Sequence, residues 1–258
     1  MSYQISEKNL ERQQLLSVAL NGISKKYLKK FPQENIHKVL DLACGLGETS
    51  RMHKGLFPQA EIVGVDMDEK LLNYAKELGD QGIAFQQADA TALPFPDDYF
   101  DLVFTRFLLM HVPDPLAVLK EMKRVCKKGG IILAQEPDMA TSGGLYPTHW
   151  AYDLLVDAYH RLYEEPQMGR KLPHLFEACE LPIPKVRCDT FLMHRHQEGV
   201  SKKLTRMTAE GILDNMVEKE LISPDKTEAF IAGLKEIEED PQYSFITDPV
   251  VTIWTKLQ

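Results

Sequence analysis

The chain has 258 residues, four cysteines and a formal net charge of −8 at pH 7. At this length it can bury a full hydrophobic core as one domain with an elaboration. The acidic balance disfavours nucleic-acid partners, because binding of a phosphate backbone requires a cationic surface. The cysteines have neither a C-x-x-C pair nor metal-like spacing, which indicates reduced thiols. The chain starts without a leader-like segment and contains no stretch long enough for a membrane span, so we expect a cytoplasmic protein.

The first predicted element is a helix, or a pair of helices, over residues 6–31. Its apolar side chains recur every three or four residues, which is helical spacing. They are Leu16, Leu20, Ile23, Tyr27 and Phe31. We therefore expect residues 1–35 to form an N-terminal helical lid that packs on the rest of the domain.

The next segment, V-L-D-L-A-C-G-L-G-E-T-S over residues 39–50, has the pattern of a strand, a glycine turn and a helix. Gly45 and Gly47 let a ligand approach the backbone, and the free N–H groups at the start of the helix point towards it. A second apolar strand ends at Asp66, 19 residues after Gly47. A carboxylate at that place meets ribose hydroxyls. Together these features predict a site for a nucleoside cofactor.

The charge at the glycine turn favours one cofactor over another. Nicotinamide dinucleotides and S-adenosylmethionine both use a glycine turn and a ribose carboxylate, but a pyrophosphate at this turn would face the Asp41 carboxylate, which is repulsive. The ammonium and sulfonium of S-adenosylmethionine are cations that Asp41 attracts. The third glycine of the dinucleotide fingerprint is also replaced, by Ser50. The residues therefore favour S-adenosylmethionine.

Strands and helices continue to alternate up to residue 137, which predicts a parallel sheet covered by helices on both faces. The third strand leads into Asp89, whose carboxylate can accept a hydrogen bond from an adenine amino group. The fourth strand leads into Arg106 and Phe107, which we expect to border the methionine moiety and the methyl group. The fifth strand ends at Glu136. Ligands bind at the carboxyl ends of such strands.

The second half of the chain is more irregular. We expect an aromatic helix over residues 148–165, which could form one wall of an acceptor pocket, and a covering helix over residues 168–178. A strand over residues 185–194 and a last strand over residues 249–255 are expected to complete the sheet, with a helical insertion or cap, residues 198–240, between them. The core predicted in this way consists of residues 36–197 and 241–258.

Several motifs in this order resemble the class I S-adenosylmethionine-dependent methyltransferases. They are L-D-L-A-C-G-L-G from residue 40, G-V-D-M from residue 64, A-D-A from residue 88, F-D-L-V from residue 100 and K-G-G-I-I from residue 128. The match covers residues 37–137 and is most similar to the small-molecule branch that includes ubiquinone and menaquinone biosynthesis enzymes. The resemblance implies an α/β, Rossmann-like, seven-stranded, mostly parallel sheet, with an antiparallel last strand inserted beside the fifth.

The resemblance also implies where the cofactor lies. Asp41, Ala43 and Gly45 would hold the methionine end, and Cys44 would touch the ligand as a small packing residue. The remaining implied contacts are Asp66 and Met67 at the ribose and the adenine face, and Asp89 and Ala90 at the adenine edge. Ala43 departs from the family pattern, because many relatives have glycine there and alanine has less backbone freedom.

Methyl transfer is an in-line displacement, and the cofactor brings the reactive carbon already activated. A general base is needed only where the acceptor is a hydroxyl or a protonated amine. His111, after the fourth strand, and His149, at the start of the aromatic helix, are the candidate catalytic residues. Alternatively, His111 orients its loop and His149 caps its helix. We expect no metal site, since the acidic and histidine side chains along residues 149–160 are explained as a solvated helix face.

The sequence thus predicts an enzyme that transfers a methyl group from S-adenosylmethionine to oxygen or nitrogen of a small, partly apolar acceptor, leaving S-adenosylhomocysteine. One alternative is a protein that binds S-adenosylmethionine without methyl transfer, as a regulator or as an enzyme that uses the cofactor as a fixed charge. Another is a nicotinamide-dependent dehydrogenase. The sequence specifies neither the acceptor nor the oligomeric state.

Overall fold

A computed structural model describes residues 7–79, 82–141, 144–163, 165–193 and 200–258. By their contacts the residues divide into two compact units. The sheet unit consists of Leu20–Glu136, Met168–Cys188 and Val250–Gln258, and the helical unit consists of Met1–Ala19, Pro137–Gln167 and Asp189–Pro249.

The order of elements confirms the predicted alternation of strands and helices. The helices are α1 Glu7–Leu28, α2 Glu48–Leu56, α3 Glu69–Glu77, α4 Pro115–Val125, α5 Trp150–Leu162, α6 Met168–Ala178, α7 Val200–Glu218 and α8 Thr227–Glu239. The strands are β1 Lys38–Leu42, β2 Glu61–Asp66, β3 Ile83–Gln87, β4 Phe100–Arg106, β5 Cys126–Pro137, β6 Leu145–Tyr146, β7 Lys185–Asp189, β8 Leu192–Met193, β9 Ser244–Ile246 and β10 Val250–Lys256.

The sheet unit is built on a seven-stranded sheet in the order β3-β2-β1-β4-β5-β10-β7. Strands β1 to β5 pair in parallel. Strand β10 runs antiparallel to β5. The backbone amide of Gly129, near the start of β5, donates to the carbonyl of Leu257, after the end of β10, and the side chain of Gln135, near the end of β5, donates to Thr252 Oγ1, near the start of β10. The predicted mostly parallel Rossmann-like α/β fold is confirmed, with the last strand antiparallel and inserted beside β5.

The central strands have long apolar runs because both faces of a parallel sheet are covered. On β1 the side chains of Val39, Leu40 and Leu42 are fully buried, and on β4 those of Leu102 and Phe104 are too. Burial of each such side chain contributes about 1.5–3 kcal/mol. The parallel pairing of these strands brings their carboxyl ends to one edge of the sheet.

Helix α1 is shared between the two units. Its second half, from Leu20 onward, belongs to the sheet unit, where Tyr27 and Leu28 are buried and the Tyr27 ring lies 5.2 Å from that of Trp254. The boundary between the two units falls inside the predicted lid, residues 1–35, and the described part of the predicted insertion, residues 200–240, lies in the helical unit. The lid and the insertion as domains stay predictions.

The helical unit contains α5, α7, α8 and a small sheet in the order β6-β9-β8. Gly233 on α8 permits close packing on α5, since a Cβ there would lie 2.7 Å from His149 Cε1 and 2.9 Å from Ala151 Cβ. Arg206 joins α7 to α8 through its 2.6 Å bond to Glu238.

The strand expected over residues 185–194 is wrong in its second half. Strand β7 ends at Asp189, and β8 pairs in antiparallel fashion with β9 of the helical unit. The cause is a set of bonds to Thr247. Its backbone N–H donates to the Phe191 carbonyl, and its Oγ1 accepts from the Phe191 amide at 3.0 Å. His194 lies outside the described residues.

Gly64 provides a test of packing at the centre of the sheet. A Cβ at Gly64 would lie 2.8 Å from Ser50 Oγ, which is buried and bonded to Asp41 at 2.5 Å. Gly64→Ala should therefore displace Ser50 and lower the free energy of unfolding by about 1–3 kcal/mol. Urea denaturation of the purified variant measures this.

Gly55→Ala is the matched control. Gly55 lies in α2 with nothing within 4 Å of an added Cβ, so this change should raise the free energy of unfolding by about 0.5–1 kcal/mol through helix propensity. Equal stability of the two variants would contradict the close packing at Gly64.

Candidate functional site

The turn between β1 and α2 has an unusual backbone. Ala43, Gly45 and Gly47 have φ angles of 56°, 53° and 77°, in the region that glycine adopts at no cost and alanine at about 1–2 kcal/mol. The Gly47 amide donates to the Cys44 carbonyl at 2.8 Å, and the Cys44 amide donates to the Val65 carbonyl at 3.0 Å. The turn is thereby fixed to the end of β2.

Asp41 lies directly beneath this turn and is only 1% exposed. Its Oδ2 accepts hydrogen bonds from Thr49 Oγ1 at 2.7 Å and Ser50 Oγ at 2.5 Å. Burial raises the pKa of Asp41 to about 6, while the two hydroxyls and the Arg106 charge oppose the rise. At neutral pH the carboxylate is therefore ionised, and it ties the end of β1 to the start of α2.

Asp66 connects three loops at the carboxyl edge of the sheet. Its Oδ2 accepts from the Gly45 amide at 2.9 Å, its Oδ1 accepts from the Asp68 amide at 3.0 Å, and its backbone carbonyl accepts from the Ala88 amide at 3.1 Å. Burial raises the pKa of Asp66. The next side chain, Met67, is 66% exposed.

Asp89 organises the loop after β3. Its Oδ1 accepts from the Thr91 amide at 2.8 Å and from Thr91 Oγ1 at 2.7 Å, and these bonds hold the pKa of the exposed carboxylate below its ordinary value. Ala90, next in the chain, is partly exposed. The loop thus presents one carboxylate and one small side chain.

Arg106, the last residue of β4, belongs to a buried polar network that includes α1. Its Nη1 donates to Asn21 Oδ1 at 3.0 Å and to Ser24 Oγ at 3.1 Å. Ser24 in turn donates to Gln135 Oε1 at 2.6 Å, and Gln135 Nε2 donates to Thr252 Oγ1 at 2.9 Å. Burial lowers the pKa of Arg106 to about 10, so the guanidinium stays charged at neutral pH.

The turn after β4 is fixed by Glu136. Phe107 has a φ of 59°. The next two amides, of Leu108 and Leu109, donate to Glu136 Oε1 at 2.9 and 2.7 Å. Glu136 is fully buried, and its Oε2 has no hydrogen-bond partner among the described residues. Burial raises the pKa of Glu136 to about 8.

The two predicted catalytic histidines lie in different units. His111 is exposed at the end of the 3₁₀ turn Leu109–His111 in the sheet unit. His149 lies in the helical unit as the N-cap of α5, where its Nδ1 accepts from the Ala151 amide at 3.2 Å. Its Nε2 lies 3.7 Å from Glu236 Oε2. These contacts give His149 a structural role, and a catalytic role for it stays a prediction.

The structure thus brings the predicted cofactor residues together at the carboxyl edge of one sheet unit. They are Asp41, Ala43, Cys44, Gly45, Gly47, Asp66, Met67, Asp89, Ala90, Arg106 and Phe107. Across the described ranges, no group of three or more His, Cys, Asp or Glu is placed to hold a metal ion, and no helix there has the length and apolarity to cross a membrane.

The sequence analysis missed the polar partners of this edge. Thr49 and Ser50 follow the glycine turn directly, so their proximity to Asp41 could have been inferred from a helix N-terminus. Ser24 is fully buried within the apolar stripe of α1. A small polar residue on such a stripe was the available signal of a buried partner.

Burial of Glu136 should make the stability of the protein depend on pH. Its pKa rises from an ordinary value of 4.5 to about 8 in the folded protein, so the stability it contributes is present below about 4.5 and is lost as pH rises through about 8. Between pH 5 and pH 8 the wild-type protein should lose stability relative to Glu136→Gln, at up to about 1.4 kcal/mol per pH unit.

Urea denaturation of both proteins at several pH values measures this difference. Gln is the matched control, since its carbonyl accepts the same two amides and it does not titrate. A constant difference in unfolding free energy across this pH range would contradict a neutral buried Glu136.

Comparison with known proteins bears on this site. The family described as "Methyltransferase domain" matches residues 40–134, which include the loops that follow β1, β2, β3 and β4. In the solved structure of phosphoethanolamine N-methyltransferase 2 from Haemonchus contortus with S-adenosyl-L-methionine, the similar fold covers 94% of this chain and 52% of that one. The TM-score is 0.54 and the identity 19%.

Two curated relatives are more similar in sequence. An uncharacterised methyltransferase of Schizosaccharomyces pombe is 34% identical over 57% of this chain, and the chain spans only 55% of its length. A demethylmenaquinone methyltransferase of Anoxybacillus flavithermus is 35% identical over 60% of this chain and 71% of its own length. The chain therefore belongs to the class I S-adenosylmethionine-dependent methyltransferase family, in the branch that includes the ubiquinone and menaquinone biosynthesis enzymes.

Proposed function

We propose that the chain binds S-adenosylmethionine at the carboxyl edge of its sheet and transfers the methyl group to oxygen or nitrogen of a small-molecule acceptor. The observation that carries this proposal is the position of Asp66. Its carboxylate accepts from the Gly45 amide and its backbone carbonyl accepts from the Ala88 amide. One residue thus holds both the glycine turn and the loop after β3 beside its own carboxylate. Family membership supports the same cofactor.

The adenosyl half of the cofactor would be held by three loops. Asp66 would accept hydrogen bonds from the ribose hydroxyls, and the exposed Met67 would cover a face of the adenine ring. Asp89 and Ala90 would border the adenine edge, where the Asp89 carboxylate can accept from the amino group.

The methionine half would lie between charges of opposite sign. Asp41 is ionised and buried, and Arg106 is charged and lies close enough for each to shift the pKa of the other. A methionine moiety has an ammonium and a carboxylate, so the pair matches both ends. Asp41 would act mainly through its field, because its Oδ2 already accepts two hydroxyl bonds.

Bound S-adenosylmethionine supplies an activated methyl group, and the protein mainly aligns the partners and excludes water. Glu136 and the backbone of Phe107 fix the turn after β4, which carries His111. We propose His111 as the proton acceptor where the acceptor group must lose a proton. His149 remains a second candidate, although it lies in the helical unit.

We also propose that the protein works in the cytoplasm and acts on a partly apolar acceptor. Three of its four cysteines, Cys44, Cys126 and Cys179, are free and buried, which fits a reducing compartment.

Methyl transfer is tested with S-adenosylmethionine labelled in the methyl group and a panel of small hydroxyl and amine acceptors. The expected result is label in a product together with S-adenosylhomocysteine. Cofactor binding without S-adenosylhomocysteine formation across the panel would support the alternative, a protein that binds without transfer. Absence of any S-adenosylmethionine binding would contradict the proposal.

Asp41→Asn should weaken S-adenosylmethionine binding about tenfold or more, because it removes a buried negative charge near the cationic ligand. In the wild-type protein the affinity should also fall as pH is lowered through about 6, where Asp41 takes up a proton. The variant should lack this pH dependence. Titration calorimetry between pH 5 and pH 8 measures both effects.

Asp225→Asn is the matched control, because Asp225 is exposed in the helical unit and its charge should not affect the affinity. If Asp41→Asn and Asp225→Asn bind the cofactor equally well, the charge argument is wrong. Tight binding of a nicotinamide dinucleotide by either variant would favour the dehydrogenase alternative.

A further inference from the structure

The sheet unit has a groove at the edge opposite the cofactor loops, with a volume of about 1130 Å³. It is lined by the segment after α1, the starts of β4 and β5, the connection from α6 to β7, and the end of β10. Parallel strands β4 and β5 begin there, so the groove is separated from the cofactor loops by the length of the sheet.

The groove has a cationic rim. Lys30, Lys128, Lys185 and Lys256 line it and are all exposed, and within the described part of the chain none of the four has an ion-pair partner. Two acids also line the groove: Asp101, which is bonded to Lys127 Nζ at 2.7 Å, and Glu180, which is exposed, so the four lysines outnumber them. The rim is therefore positive on a protein whose net charge is −8, and it attracts anions.

One of these lysines, Lys30, is held in place by packing on aromatic rings. The Lys30 ammonium lies 5.3 Å from the centre of the Trp254 ring and 4.8 Å from that of Tyr27, which are cation–π distances. Part of the rim is thus ordered before any ligand binds, which lowers the entropic cost of binding.

The floor of the groove is apolar. Ile131, Leu181 and Trp254 contribute to it and are largely buried, and Ile183 at its margin is 96% exposed. A branched aliphatic side chain so fully in water is stabilised when a ligand covers it. A positive rim above an apolar floor matches a molecule with an anionic head and an apolar chain.

We infer that this groove is a second binding site, which takes a single-chain anionic amphiphile, with its phosphate or carboxylate head at the lysines and its chain along Ile183 and Trp254. The site is independent of methyl transfer. It uses none of the residues at the cofactor edge, so it can be tested whether or not the proposed function holds.

The experiment uses octyl phosphate as the probe and fluorescence of Trp254 as the signal. The chain has two tryptophans, so Trp150→Phe leaves Trp254 alone. In this background octyl phosphate, below its micelle concentration, should bind at least about tenfold more tightly than octyl glucoside, which has the same chain and no charge. Inorganic phosphate should bind more weakly than octyl phosphate, and added salt should weaken octyl phosphate binding.

Two sets of variants assign the binding to the groove. The double variant Lys128→Gln with Lys256→Gln should weaken octyl phosphate binding at least about fivefold, and Ile183→Ser should weaken it several-fold through lost apolar contact. The matched control is Lys70→Gln with Lys76→Gln, which removes two exposed lysines of α3 and should leave the affinity unchanged. Thermal unfolding checks that each variant is folded.

Three results would overturn the inference. One is equal affinity for octyl phosphate and octyl glucoside, and another is an equal loss of affinity in the α3 control. The third is binding of octyl phosphate that neither the groove lysines nor Ile183 affects, since the probe would then bind elsewhere.

Discussion

The carboxyl edge of the sheet, where we propose that the cofactor binds, depends on keeping a carboxylate ionised inside the protein. An isolated buried carboxylate is costly, and it becomes tolerable where hydroxyls donate to it and a cation lies nearby. Asp41 has both, through Thr49, Ser50 and Arg106. The same bonds join the end of β1 to α2, so the interaction that keeps the charge also shapes the glycine turn. Gly64 leaves the room that Ser50 occupies.

The charge of this edge is mixed rather than simply negative. Asp41 and Arg106 form a pair of opposite charges, and the network from Arg106 through Ser24 and Gln135 reaches Thr252 on β10. Buried polar groups that are fully bonded define one arrangement. Helix α1 is thereby joined to the carboxyl edge, and the proposed ligand, which has both an ammonium and a carboxylate, would match such a pair better than a simple cation.

The sequence predicted the sheet well because its strands are buried on both faces and end in chemically distinctive residues. The glycine turn and the positions of Asp66 and Asp89 after their strands were predicted from local pattern alone. Contacts distant in sequence were not, such as Ser24 with Gln135, since no local pattern encodes them. The break after Asp189 depends on Thr247, more than fifty residues away. The role of Glu136 in fixing the turn after β4 was not predicted, because its burial and its two amide bonds arise only in the folded protein.

A crystal structure of the protein soaked with S-adenosylhomocysteine would show directly where the cofactor binds. We expect the ribose hydroxyls within hydrogen-bond distance of the Asp66 carboxylate, the adenine against Met67 and Asp89, and the amino-acid end beside Asp41 and Arg106. A nucleoside bound away from this edge, or with its ribose turned from Asp66, would contradict this expectation.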